Sequence, residues 1–162
     1  MKLGKFQVVV LLLVLLVLVG FVFVLLTRGD NNTSSEQTWE LVKIVDGDTF
    51  DVVDETGVVQ RVRPVGIDTP ERGRCGATEA TKRLEEELTG QEISLVIAGT
   101  ADKDKHGRLL RYVEVEGRDI GLELIKGGFA VAAYDSRSGK YPKHFREDEY
   151  IATDEASPNL CD

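Results

Sequence analysis

Two short acidic segments lie close together in the chain, IVDGDTF at residues 44–50 and GIDTPER at residues 66–72. Between them they supply Asp46, Asp48, Asp68 and Glu71. A turn needs one Asp to bond its own backbone, so either segment taken alone reads as a loop between strands. Two arginines make the set more than turns. Arg63 ends the strand-like run before the second segment, and Arg108 follows the turn DKHG at residues 104–107. Together these residue types match one chemistry. Carboxylates with a backbone carbonyl form a hard-oxygen site suited to Ca²⁺, with water completing the shell. Guanidinium groups grip phosphate as a permanently charged fork. A carboxylate left outside the metal shell can deprotonate water. A metal, two arginines and a base are the parts needed to hydrolyse a phosphodiester.

The elements that must position these residues are legible from periodicity. TWELVKIV, TFDVVDE, GVVQRVRPVGI, EISLVIA and RLLRYVEVE have strand length, alternation and β-branched content. Asp54-Glu55-Thr56-Gly57 reads as a hairpin turn between the second and third. GATEATKRLEEELTG (residues 76–90) changes period, with Ala80, Leu84 and Leu88 as an i, i+4 stripe and Gly90 as a stop. Further helices are expected over residues 120–128, ending at paired glycines, and over residues 144–156, with His144 at the start and Pro158 beyond the end. The expected fold class is α+β, mainly β: a five-stranded Greek-key barrel of the OB type with about three helices. Several other α+β folds share this string of elements.

In this order and spacing, IVDGDTF, RPVGIDTPE and DKHGR resemble the staphylococcal, or thermonuclease-like, nucleases over residues 39–156. The resemblance implies an OB-fold barrel that uses Ca²⁺ to cleave DNA and RNA to 3′-phosphorylated products. It assigns Ca²⁺ binding to Asp48 and Asp68 through their carboxylates and to Thr69 through its carbonyl, with Asp46 in the outer shell. Glu71 becomes the general base, Arg63 and Arg108 hold the scissile phosphate, and Tyr134 lies against the nucleotide, with Lys105 a further candidate for substrate contact. Three departures bear on affinity and base preference. His106 replaces a tyrosine near the substrate phosphate, Ser136 replaces a second tyrosine of the base pocket, and the loop after Glu71 is cut to RGRCG at residues 72–76. A lone His106 in a glycine-containing turn otherwise reads as a solvated side chain. Two other classes stay open: an OB module that binds nucleic acid or another ligand without catalysis, and a surface protein whose turns are only turns. Glu71 discriminates, because a binding module has no use for it.

The rest of the chain sets the context. Residues 1–5 carry Lys2 and Lys5, and residues 6–26 hold no formal charge. As a helix that stretch reaches about 30 Å, the thickness of a hydrocarbon core. It is read as an uncleaved transmembrane signal-anchor with the N-terminus in the cytoplasm and the body outside, and a cleaved signal peptide with a secreted body is the alternative. Residues 27–37 form a polar tether, leaving residues 38–162 as the catalytic domain. Net charge is −8; with Lys2, Lys5 and Arg28 set aside, the body carries about −11, which excludes a protein that coats nucleic acid electrostatically. A monomer is expected, with nucleic acid and the membrane as partners. Two cysteines are present, Cys75 and Cys161. In an oxidising compartment an even count favours a bridge, which would tie the third helix to the barrel beside Glu71; two free thiols are the alternative.

Overall fold

The computed structural model describes residues 37–99 and 101–161. The body from Gln37 onward is a compact unit of its own. The expected anchor, and the tether up to residue 36, lie outside the described residues, and among the described residues no helix is long and apolar enough to cross a membrane.

Five strands close on themselves. β1 (Thr38–Asp46), β2 (Thr49–Asp54) and β3 (Val59–Pro64) form an antiparallel meander, and β5 (Ile93–Ile97) pairs with β6 (Leu109–Val115). β1 meets β5 at Thr38 and Trp39, while β3 runs parallel to β6, pairing Arg63 with Leu110. The β3–β6 pairing closes the sheet into the OB-type barrel that the alternation implied. Asp54 turns the β2–β3 hairpin as expected, its Oδ1 accepting from the backbone N–H groups of Thr56 and Val58. Register shifts after Leu41 and after Ile44 bend β1 around the barrel.

The third run of the sequence is not one strand. It breaks at Val65–Gly66, where Gly66 takes φ 83°, and resumes as β4 (Ile67–Asp68). β4 pairs with β8 (Val131–Ala132), matching Asp68 to Val131. Two-residue strands carry too little periodicity to be seen in the sequence. A short β7 (Arg118–Asp119) hairpins back on β6.

The helices follow their apolar stripes. α1 (Ala77–Leu88) buries Ala77, Ala80, Leu84 and Leu88, and α2 (Ile120–Lys126) buries Ile120, Leu124 and Ile125. Asp119 caps α2, accepting from the Leu122 N–H at 3.2 Å. α3 spans Glu147–Ala156, three residues later than His144 suggested. His144 is buried instead, its Nδ1 2.6 Å from the Tyr112 hydroxyl, so the imidazole is part of the core rather than a helix start. The core joins barrel and helices through Phe50, Val62, Ile93, Tyr112, Leu124 and Tyr150.

Candidate active site

Arg63 organises the site. The residue is 5% exposed, at the end of β3 where the chain turns toward β4. Its Nη1 donates to the carbonyls of Pro64 (3.1 Å) and Ile67 (3.0 Å), which fixes the turn that carries Asp68. Its Nη2 lies 3.0 Å from Asp68 Oδ1, 3.2 Å from Asp48 Oδ2 and 3.0 Å from the Tyr134 hydroxyl. One planar cation therefore draws together two carboxylates from segments about twenty residues apart and a phenol from beyond α2. Tyr134 reaches it from a left-handed backbone, φ 61°, a conformation that costs energy for a side chain of its size.

The DGDT turn docks on the DTP turn. Thr69 donates to Asp48 Oδ2 from both its backbone N–H (2.9 Å) and its hydroxyl (3.0 Å). The Asp48 N–H reaches Asp46 Oδ1 at 3.3 Å. Gly47 makes this approach possible: a Cβ there would lie 2.7 Å from Thr69 Oγ1 and 3.0 Å from Ala80 Cβ. Burial pushes the Asp48 carboxyl above its ordinary range; Arg63 and the Thr69 bonds pull against that, and the neighbouring Asp46 adds to the rise. Burial likewise raises the Tyr134 phenol.

Arg108 lies on the rim of the same cavity, which holds about 570 Å³ and is bordered by Asp46, Asp48, Asp68, Thr69 and Glu71. Asp104 positions it. Its Oδ2 accepts from Arg108 Nε at 2.7 Å, and its Oδ1 accepts from the backbone N–H groups of His106 and Arg108. Burial works upward on the Asp104 carboxyl, but these bonds outweigh it and hold the group below the ordinary range. Glu71 is exposed, and among the described residues its carboxylate makes no hydrogen bond or ion pair. A carboxylate facing a cavity without a partner is free to take a proton.

The structure thus brings Asp46, Asp48, Asp68, Thr69, Glu71, Arg63, Arg108 and Tyr134 to one cavity. Lys105 is exposed on the turn before Arg108 and borders neither this cavity nor the next. That second cavity, about 280 Å³, shares Arg63, Arg108 and Tyr134 with the first and continues into apolar walls formed by Val65, Tyr141 and Pro142. Ser136 turns away from it, its hydroxyl donating to Glu147 Oε1 at 2.6 Å. The second aromatic comes from Tyr141, edge-on to Tyr134 with centroids 4.9 Å apart. Neither Tyr141 nor Asp104 stood out in the sequence, because one follows an irregular segment and the other looked like the first residue of a turn.

A profile of the family described as Staphylococcal nuclease homologue matches residues 61–157. The chain belongs to the staphylococcal nuclease family. Within it, the chain is 30% identical over 122 residues to a Thermonuclease of Staphylococcus hyicus, covering 72% of this chain and 71% of that protein. It is 36% identical over 122 residues to the SPbeta prophage-derived endonuclease YokF of Bacillus subtilis (strain 168), covering 71% and 41%. Endonuclease YncB of the same strain is 34% identical over 119 residues, covering 69% and 56%. The chain therefore spans only about half the length of the two endonucleases. The family match begins at Arg61, so Asp46 and Asp48 lie before it; the Thr69 and Arg63 bonds connect them to the matched part.

The donor set suits a hard cation. Asp48 and Asp68 offer carboxylate oxygens at one corner of the cavity beside the Thr69 backbone. Two carboxylates meet there on a single Arg63 Nη2, and burial opposes the ionised form of Asp48, so added positive charge would be favoured. Among the described residues no three His, Cys, Asp or Glu side chains group as a metal site.

Proposed function

We propose that this member of the staphylococcal nuclease family is a Ca²⁺-dependent endonuclease that hydrolyses DNA, RNA or both outside the cell, tethered by its N-terminal segment. That it is a nuclease, a phosphodiester hydrolase, rests on its family and on relatives named as thermonuclease and endonuclease. One observation supports the catalytic reading above the others. Two arginines, the carboxylates of Asp48 and Asp68, and a Glu71 with no side-chain partner among the described residues border the same cavity.

Asp48, Asp68 and the Thr69 carbonyl would hold Ca²⁺, which when bound polarises the phosphoryl group and orients the attacking water. Glu71 takes the proton from that water. Arg108 faces the non-bridging oxygens and balances the charge that builds on them, and Arg63, its terminal nitrogens held by the fold, adds positive charge beside them. Arg108 can do so because its Nη2 has no partner among the described residues, its Nε being held by Asp104. The apolar cavity beyond Tyr134 accepts the adjoining base against Tyr134 and Tyr141, where stacking is worth about 1–3 kcal/mol per base.

The test is nuclease activity of the full chain on DNA and RNA with Ca²⁺ and with a chelator. Cleavage that survives chelation would remove the metal from the proposal. Binding without cleavage under both conditions would make the chain a non-catalytic binding module. Protease added to intact cells should release an active fragment, and protection of the body until lysis would reverse the topology.

A further inference from the structure

The loop that carries Glu71, residues 70–76, lies between two fixed points. Thr69 is bonded to Asp48 at one end, and Ala77 is buried at the start of α1 at the other. Within the loop the Arg74 N–H closes one turn onto the Glu71 carbonyl at 2.9 Å. The covalent tie across it is to the far end of the chain: Cys75 is bridged to Cys161, with Cα atoms 6.0 Å apart and a sequence separation of 86. The tail that carries Cys161 is seated, not merely attached. The Leu160 N–H donates to the Gly128 carbonyl at 3.2 Å, and Gly128 leaves no room for a side chain, since a Cβ there would meet the Pro158 carbonyl oxygen at 2.2 Å. At Gly76 a Cβ would lie 3.1 Å from Cys161 Sγ and 3.3 Å from Pro70 Cγ, so bridge, tail and Pro70 form one packed corner. Asp68, Thr69 and Pro70 share a further cavity with Phe129, Val131 and Leu160. Asp68 is thus paired to β8, Asp68–Pro70 and the tail line one cavity, and the loop that follows is tied to the tail through Cys75.

We propose that the Cys75–Cys161 bridge is a redox-sensitive clamp: with the bridge closed the C-terminal tail positions the Asp68–Glu71 segment for catalysis, and opening it slows turnover. This rests on the nuclease reading of the cavity. Both cysteines are exposed, so a dithiol can reach them. Dithiothreitol would deliver two electrons and two protons. The Sγ–Sγ bond breaks, Cys75 and Cys161 become thiols, and the reductant closes to its own cyclic disulfide. The tail then keeps its hydrogen bond to Gly128 without a covalent tie to the loop, and the loop regains the freedom that the cross-link removed. Cys75 and Cys161 act through the loop and are positioning residues.

The experiment compares the oxidised full chain, the dithiothreitol-treated chain and the Cys75→Ser/Cys161→Ser variant, at a temperature well below the melting of all three. Turnover should fall about ten- to hundredfold in the last two, the scale of a misplaced catalytic group. KM should stay within about threefold, because Arg108 and Tyr134 lie outside the loop. Reoxidation should restore the treated chain, and the variant should ignore the reductant. Unchanged kcat in either form, or a fall in kcat matched by global unfolding, overturns the clamp. Hydrogen exchange reads the same loop without relying on activity. Amides of residues 69–76 and 159–161 should exchange faster on reduction while β2 and β3 do not change, and equal exchange in both states overturns the proposal. Were the oxidised chain inactive on every nucleic acid, the nuclease reading would fail, and the exchange result alone would decide the clamp.

Discussion

Arg63→Lys and Arg108→Lys separate what the two arginines share from what only one of them does. Both substitutions keep the charge and lose the fork. Arg63 also holds the chain in place. Its Nη1 bonds two backbone carbonyls, Pro64 and Ile67, and its Nη2 is 3.2 Å from the buried Asp48. A lysine ammonium sits at one point and cannot reach both the carbonyls and the carboxylates. Hydrogen bonds from charged donors contribute about 1.5–3 kcal/mol each. The contact with Asp68 counts for little here, because that side chain is 55% exposed and screened by solvent. Losing the two carbonyl bonds while Asp48 stays compensated gives a cost of about 3 kcal/mol, or about 10 °C in melting temperature for a domain of this size. Arg108 pairs with Asp104 near the surface, and a lysine can keep that pair, so its cost should stay below about 1 kcal/mol. The rate should fall about 10²-fold or more in both, as when one oriented donor is removed from a transition state. Differential scanning calorimetry of the full chain and initial-rate kinetics on one DNA substrate measure the two effects. An Arg63→Lys chain that melts with the wild type would refute the role assigned to its carbonyl bonds. Wild-type turnover in Arg108→Lys would refute phosphate binding by the fork, and wild-type turnover in Arg63→Lys would refute its part in holding the site for catalysis.

Glu71→Gln should lower kcat by about 10²–10⁴-fold with Ca²⁺ affinity near normal; joint loss of rate and affinity, by calorimetric titration, would make Glu71 a ligand. Gly47→Ala forces a methyl to within 2.7 Å of Thr69 Oγ1 and should destabilise the fold by about 1–3 kcal/mol. It should also weaken Ca²⁺ binding, and an unchanged binding isotherm would show that the contact between the two turns is slack. Burial holds the His144 imidazole below its ordinary pKa of 6.5, so the unfolded chain takes up a proton before the folded one does. Stability should be full above about pH 7 and fall as the pH drops through 6.5 toward the depressed folded value, and His144→Gln should flatten that dependence in melting curves.

The sequence alone determined what is local. Alternation marked the five barrel strands, an i, i+4 stripe marked α1, and Asp54–Gly57 marked a hairpin, since each signal repeats within a few residues and reflects one face meeting one core. It also supplied the chemical types at the cavity, because two acidic turns and two arginines together exceed what the turns need for their own backbones. The tertiary structure decided which turns meet. The parallel closure of β3 on β6 sets Arg63 beside Leu110, two positions along from Arg108, and the two-residue pairing of β4 with β8 fixes Asp68. Neither pairing leaves a periodic trace in the chain. Long-range packing likewise placed Tyr141 beside Tyr134 and buried His144 against Tyr112 instead of starting α3, while the Cys75–Cys161 bridge is the pairing that the even cysteine count favoured. Such contacts join segments that share no local pattern, and they form only where the whole barrel has closed to bring the surfaces together.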